Sequence, residues 1–393
     1  MSNDQTPLDG LKVVELSHMV MGPSIGLLLG DLGADVVKVE PPGGDKTRRL
    51  RGSGAGYFAM YNRNKRSITV DVKSPEGLAL VKKLTADADI LIENFRSGTM
   101  DRLGLSYAAL SAANPRLIYC SARGFLAGPY EQRTALDEVA QMMGGLAYMT
   151  GPPGRPLRAG ASVIDVAGGM FGVIAVLSAV EQRHRTGQGQ HLTSALFETT
   201  AFLVGQHMAQ KAVTGVAAQP MPVRISAWAV YDIFDTADQS QVFVAVVSDG
   251  QWQKFCAHFE ITEFANDRSL DENAARVAAR DRILPRVREV LGTYDKDTLM
   301  AELGKIGLPY APVSKPEELF DDPHLNAEGG LVDVTIPDGE QTRLPALPIQ
   351  MDGRRLGRRL DVPQIGEHTD SVLREAGLND GDIAMLRAKG VIG

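Results

Sequence analysis

Apolar residues in this chain fall into two alternating rhythms. Residues 11–16 form a continuous β-rich run, 23–32 carry apolar positions at helical spacing, and 35–40 return to a strand-like run. A strand, a helix and a strand in that order make a crossover with parallel strands. The rhythm repeats: Ser74 and Pro75 supply an N-cap and an N1 proline for a helix ending near residue 86. Residues 90–92 then read as a strand, 106–113 as a helix and 117–121 as the next strand. Such alternation predicts a doubly wound, Rossmann-like α/β domain with its sites at the carboxyl ends of the strands.

A glycine-bearing loop next enters a long apolar helix that begins around Asp165 and reaches about residue 181. Residues 190–195 read as one more strand and 197–213 as a helix. Beyond it the pattern changes. Two strand-like runs, 227–234 and 242–247, precede helices near 250–260, 272–291 and 296–306, followed by a proline-punctuated stretch. The expected organisation is a large α/β domain over 1–200 and 335–393 and a smaller α+β domain over 225–330. Residues 201–224 and 331–334 are read as linkers, and 372–376 as a short closing helix.

Composition narrows the functional classes. With 393 residues, 44% hydrophobic and 23% charged, the chain can bury an ample core. A net charge of −7 argues against sequence-independent nucleic-acid binding, yet leaves room for a local basic patch that holds a phosphorylated small molecule. Cys120 and Cys256 form no C-x-x-C pair, so neither a disulfide framework nor a zinc site is indicated, and a cytoplasmic setting is expected. Histidines 18, 184, 191, 207, 258, 324 and 368 show no close ligand spacing, and no metal is expected. The first residues carry no signal-like pattern, and the most apolar stretch, 163–180, contains Asp165; it is read as a buried helix, not a membrane span.

Glu40 follows the second strand where a ribose-binding acid of a dinucleotide site would stand. Gly22, Gly26 and Gly30, however, are four apart rather than in G-x-G-x-x-G spacing, which places them on one helical face for close packing. Neither a P-loop nor a G-x-S-x-G elbow occurs. Basic residues recur beside successive strands: Lys46, Arg48, Arg49 and Arg51 after the second; Arg63, Lys65 and Arg66 within Asn62-Arg63-Asn64-Lys65-Arg66-Ser67, before an extended segment that ends at Asp71-Val72-Lys73; then Arg96 and Arg102 after the 90–92 strand. In a doubly wound sheet these loops converge, so an anionic, phosphorylated ligand is the expected occupant. Phe95 adds an aromatic face of the kind an adenine needs. Asp165, at a helix start, is expected to face unpaired N–H groups and the positive helix end, which keep a carboxylate ionised and available as a nucleophile. The plainer reading is that it caps the helix.

Several separate segments, in order, resemble the class III CoA-transferases. They are Asn62-Arg63-Asn64-Lys65-Arg66-Ser67, Glu93-Asn94-Phe95-Arg96 with Gly98 and Asp101-Arg102-Leu103-Gly104, Arg158-Ala159-Gly160 with Asp165, and Gly366-Glu367-His368-Thr369. The resemblance implies an Asp165 nucleophile that exchanges CoA between carboxylic acids through an aspartyl-acyl anhydride and an aspartyl-CoA thioester. Coenzyme A is then substrate and product, with no tightly bound cofactor. Val20, Met21, Val70, Asp71, Val72, Lys73, Asn94, Phe95, Arg96 and Arg102 fall where that family holds CoA, with Arg102 a phosphate ligand. An interlocked homodimer is also implied.

Two departures qualify it. Where the related racemase carries a catalytic His before Asp, this chain has Ala135-Leu136-Asp137, which disfavours racemisation. The glycine-rich lid of the formyl-CoA enzyme is replaced by Ser248-Asp249-Gly250-Gln251-Trp252, which argues against oxalate. A dicarboxylate such as succinate is the expected acid, with Arg158 and Arg224 placed to meet its extra carboxylate. The alternatives are an acyl-CoA racemase or epimerase, and a non-catalytic CoA-binding protein.

Overall fold

Val, Ile and Leu crowd the strand runs because both faces of the sheet are covered, as in parallel sheets generally. The computed structural model describes residues 6–224, 226–337 and 339–393. The chain divides into two compact units, Met1–Pro222 with Pro323–Gly393, and Val223–Asp322. In the first, strands β1 (Lys12–Leu16), β2 (Asp35–Glu40), β3 (Lys65–Thr69), β4 (Ile90–Glu93), β5 (Ile118–Arg123) and β6 (His191–Ala195) form one parallel sheet, ordered β3-β2-β1-β4-β5-β6. The order reverses between β1 and β4, which makes their carboxyl ends the expected ligand crevice.

Helices α1 (Met21–Asp31), α2 (Pro75–Ala86), α3 (Asp137–Met143) and α4 (Val163–Thr186) frame the site. One face of the sheet, with Val14, Val37, Ile68 and Leu91, packs under Leu80 and Val81 of α2 and under the closing helices Thr369–Glu375 and Asp380–Ala388. The other, with Val13, Val36, Ile90 and Cys120, packs under Ile25 and Leu29 of α1 and Val173 and Val176 of α4. By length and composition α4 is the one described helix apolar enough to cross a membrane. Here one side of it is core, and Met170 and Ile174 are exposed on the other.

The glycine spacing is a packing device. A Cβ on Gly26 would overlap Glu15 Oε2, and one on Gly22 would lie 2.5 Å from Ser17 Cβ. The charge that Gly26 accommodates belongs to a cluster buried inside the sheet. Lys38 approaches Glu15 Oε1 at 3.2 Å and Asp45 at 3.3 Å, while Lys65 approaches Glu15 Oε2 at 2.7 Å. All three side chains of the Glu15, Lys38 and Lys65 group are fully buried. Burial nonetheless pulls Lys65 down to about 8, Glu15 opposing the fall.

Several expected boundaries move. The helix expected over 197–213 is two, Leu196–Leu203 and Gly205–Thr214, separated at Val204 before a glycine that weakens helix continuity. These helices occupy much of the expected linker 201–224, and the strand Leu331–Thr335 occupies the other, 331–334. The second unit ends at Asp322 rather than 330, because the hairpin of Leu331–Thr335 and Gln341–Pro345 belongs with the first.

The second unit is a three-stranded antiparallel sheet, Tyr231–Asp235, Gln241–Ala245 and Tyr310–Pro312, packed on helices including Asp249–His258, Arg280–Leu291 and Lys296–Lys305. The expected helix 272–291 breaks at Ala279, between arginines drawn to different carbonyls. Arg276 donates to Leu270 and Asp271, and Arg280 to Trp228 and Ala229.

Candidate active site

The crevice at the reversal point is built by tying two loops together. Asn94, after β4, accepts from the His18 N–H at 3.0 Å and donates to the His18 carbonyl at 2.7 Å. The next residue, Met19, has φ +64°, an uncommon conformation for a side chain of this size, held by a 3.0 Å bond from its N–H to Thr47 Oγ1. Fixed from both sides, the Ser17–Val20 turn presents Ser17, His18 and Met19 to the crevice. The requirement for glycine at 22 follows, since α1 starts hard against this turn.

Asp165 lies in the first turn of α4 and lines a cavity of about 440 Å³ with His18, Met21, Arg51, Tyr57, Asn94, Arg123, Leu136 and Asp137, among others. A second cavity of about 500 Å³ is lined by Val39, Pro41, Lys46, Thr47 and Phe95, and shares His18, Met19, Leu50 and Leu136 with the first. The two therefore share walls, with Phe95 on one and Asp165 on the other. His18 and Phe95 rings lie 5.8 Å apart.

The cap of α4 is not Asp165. Asp137 Oδ2 accepts from the N–H groups of Ile164 at 2.9 Å and Asp165 at 3.1 Å, and Gln141 donates to its other oxygen. Asp137 is buried and comes from the start of α3, so the positive end of α4 is already satisfied by another carboxylate. This corrects the expectation that helix N–H groups hold Asp165 ionised. Among the described residues nothing hydrogen-bonds the Asp165 carboxylate. Burial, and then the charge of Asp137, push it up to about 7, with Arg158 opposing. A half-buried carboxylate with free oxygens in a cavity can attack an electrophile, and near neutrality about half of it is ionised.

The Arg158-Ala159-Gly160 loop is tied to α3. Gln141 Oε1 accepts from the Ala159 N–H at 2.8 Å, and Arg158 pairs with Glu138 and donates to the Ala159 carbonyl at 3.0 Å. Tyr57 Oη lies 3.4 Å from Ser162 Oγ, and both residues line the Asp165 cavity. Burial, then Asp165, push the Tyr61 hydroxyl up to about 12.

Of the residues that the resemblance places on CoA, Met21 and Asn94 line the Asp165 cavity and Phe95 the second one. Val20 is buried at the start of α1. Arg96 and Arg102 are exposed beyond β4, Arg102 donating to Thr99 at 3.0 Å. Val70 is buried in the core with Val72 packed on it; Asp71 accepts from the Lys73 N–H, and Lys73 is exposed. None of Val70 to Lys73 lines either cavity.

The basic loops also read differently in three dimensions. Arg63 is buried against Asp31 at 2.6 Å, Arg48 is paired with Glu40 at 2.6 Å, and Arg66 bridges Asp35 and Glu375. These cations hold the fold together and are not available to an anion. Asn64 likewise serves the backbone, accepting from Arg359 and Leu360. Lys46 and Arg51 keep exposed side chains on the cavity walls. Arg224 falls in the second unit. Among the described residues no group of three or more His, Cys, Asp or Glu side chains could hold a metal ion.

Residues 8–369 match the model of CoA-transferase family III. The chain is 36% identical to a succinate–glutarate CoA-transferase of Agrobacterium fabrum, over 95% of this chain and 97% of that one. It is 33% identical to a succinyl-CoA:mesaconate CoA-transferase of Haloarcula hispanica, over 95% and 97%. Among solved structures, a CAIB/BAIF family protein from Brucella suis superposes with a TM-score of 0.84 at 38% identity, covering 94% of this chain and 99% of that one. A reversal-point crevice with an accessible carboxylate, on a chain matched this completely, leaves one assignment: the protein is a CoA-transferase of family III.

Proposed function

We propose that the protein moves CoA from a dicarboxylic acyl-CoA, of the succinyl type, to a second small dicarboxylic acid through Asp165. The observation that carries this reading is the Asp165 carboxylate itself, which lines the cavity without a hydrogen-bond partner while Asp137 takes the helix N–H groups. Asp165 attacks the thioester carbonyl; the C–S bond breaks, giving a mixed anhydride and CoA thiolate. The thiolate attacks the aspartyl carbonyl of the anhydride and releases the first acid, leaving CoA on Asp165 as a thioester. The acceptor carboxylate then displaces the thiolate, and the thiolate takes the acceptor acyl group, restoring Asp165. Each step exchanges one carboxylate or thiolate for another, so no net proton transfer is needed.

The two cavities suit this sequence, because one molecule of CoA has both an aromatic head and a reactive thiol at its far end. Phe95 and His18 offer ring faces in one cavity, and Asp165 stands in the other. Leu136 is 57% exposed between them and has no proton to exchange, which favours transfer over racemisation. The diacid substrate class is supported by the relatives, whose names specify succinate with glutarate and succinyl-CoA with mesaconate. A homodimer is part of the proposal: Phe202, Met208 and Val213 are 71%, 64% and 85% exposed, an apolar surface suited to a second copy. Asp165→Ala should abolish exchange and keep CoA binding; unchanged turnover in that variant would refute the mechanism.

A further inference from the structure

The cavity around Asp165 has an unbalanced charge inventory. Three carboxylates line it, Asp137, Glu138 and Asp165. Glu138 is offset by Arg158, which also donates to the Ala159 carbonyl. Two guanidinium groups line the same walls, Arg51 and Arg123. Arg123 is fully engaged: it is paired with Glu93 and donates to the Phe95 carbonyl at 3.1 Å and to Ser121 Oγ at 3.2 Å. Arg51 follows the short 3-10 turn Lys46–Arg49, in which Arg48 is locked onto Glu40. Its side chain is exposed, and the guanidinium makes no hydrogen bond or ion pair with a described residue.

A dianion entering a site that already holds carboxylates needs a cation, and the planar guanidinium fork suits a carboxylate best. A monocarboxylic acid has no second group to place there. We propose that Arg51 receives the remote carboxylate of a dicarboxylic substrate while the other carboxyl exchanges at Asp165, making Arg51 the residue that selects diacids over monoacids. The assignment rests on the CoA-transfer reading and sharpens its substrate class. It also replaces the expectation for Arg158, whose charge is already taken by Glu138.

The test compares the full-length protein with Arg51→Gln and Arg51→Lys, using succinyl-CoA and butyryl-CoA as donors of equal chain length. The expected result in Arg51→Gln is a fall of about ten-fold or more in the succinyl-to-butyryl ratio of kcat/KM, about the worth of one charge-assisted hydrogen bond, with partial recovery in Arg51→Lys. Butyryl-CoA turnover and the affinity for free CoA should hold. Equal losses with both donors together with weaker CoA binding would place Arg51 on a CoA phosphate and overturn the assignment, as would an unchanged ratio. Calorimetry of glutarate and valerate with the resting protein separates this claim from the transfer mechanism. Glutarate binding should weaken in Arg51→Gln whether or not transfer occurs, and an affinity untouched by the substitution would sink the proposal.

Discussion

Asp137→Asn isolates the charge of the residue that caps α4. The substitution keeps an oxygen to accept from Ile164 and Asp165 and removes the negative charge beside the Asp165 carboxyl. Asp165 stands at about 7 against an ordinary 3.8, a difference of about 4 kcal/mol between its two protonation states. Burial is the larger cause and Asp137 the second. Removing Asp137 therefore returns less than burial contributes, and the titration of Asp165 should fall on the order of one pH unit, toward 6. At pH 6 the ionised fraction then grows from about a tenth to about a half, so adduct formation should be about five-fold faster than in the parent. Above pH 8 both proteins are ionised and their rates should converge. The assay is single-turnover formation of a borohydride-trapped adduct from succinyl-CoA between pH 5 and 8.5, with Tm measured alongside. An acid limb that stays in place or moves upward would refute the argument that Asp137 holds Asp165 near neutrality.

Other consequences follow from the same geometry. A carboxyl whose folded value lies above its unfolded one destabilises the protein as it ionises. Asp165→Asn should therefore melt higher than the parent, with a gap that opens from pH 4, widens to pH 7 and then levels at up to about 4 kcal/mol; a pH-independent gap would contradict this. Lys65→Ala leaves Glu15 Oε2 without its 2.7 Å partner inside the sheet and should cost about 3–5 kcal/mol in urea unfolding, whereas an exposed-pair loss below about 1 kcal/mol would show the cluster to be incidental. Gly26→Ala forces a methyl into Glu15 and should destabilise by about 1–3 kcal/mol or more, with loss of activity following loss of fold; a neutral outcome would mean that α1 can retreat from the sheet.

The frame of the fold was legible because a sheet covered on both faces writes itself as apolar runs, and β1, β2, β4 and β5 carry such runs. The four-residue glycine spacing was legible too, since it puts small residues on one helical face for a close approach. What escaped was long-range. Arg63 and Arg66 look like ligand-binding cations until Asp31 and Asp35 arrive from neighbouring elements to neutralise them. Nothing local marks Asp137 as the cap of a helix that begins at Val163, because the loop that brings them together is set by Gln141 and Glu138. Asp165 could be singled out from its loop-to-helix position, but its raised proton affinity could not, since that depends on burial and on Asp137. The His18 and Asn94 tie, which shapes the crevice, joins residues from two strand ends that only the sheet order makes neighbours.

Peptide mass mapping after incubation with succinyl-CoA and borohydride locates the side chain that is acylated. The peptide carrying Asp165, and no other, should show the mass change of a carboxyl reduced to an alcohol, and a competing acceptor acid should lower its yield. Efficient CoA transfer by a protein whose Asp165 stays unmodified, or whose adduct maps to another side chain, would contradict transfer through Asp165.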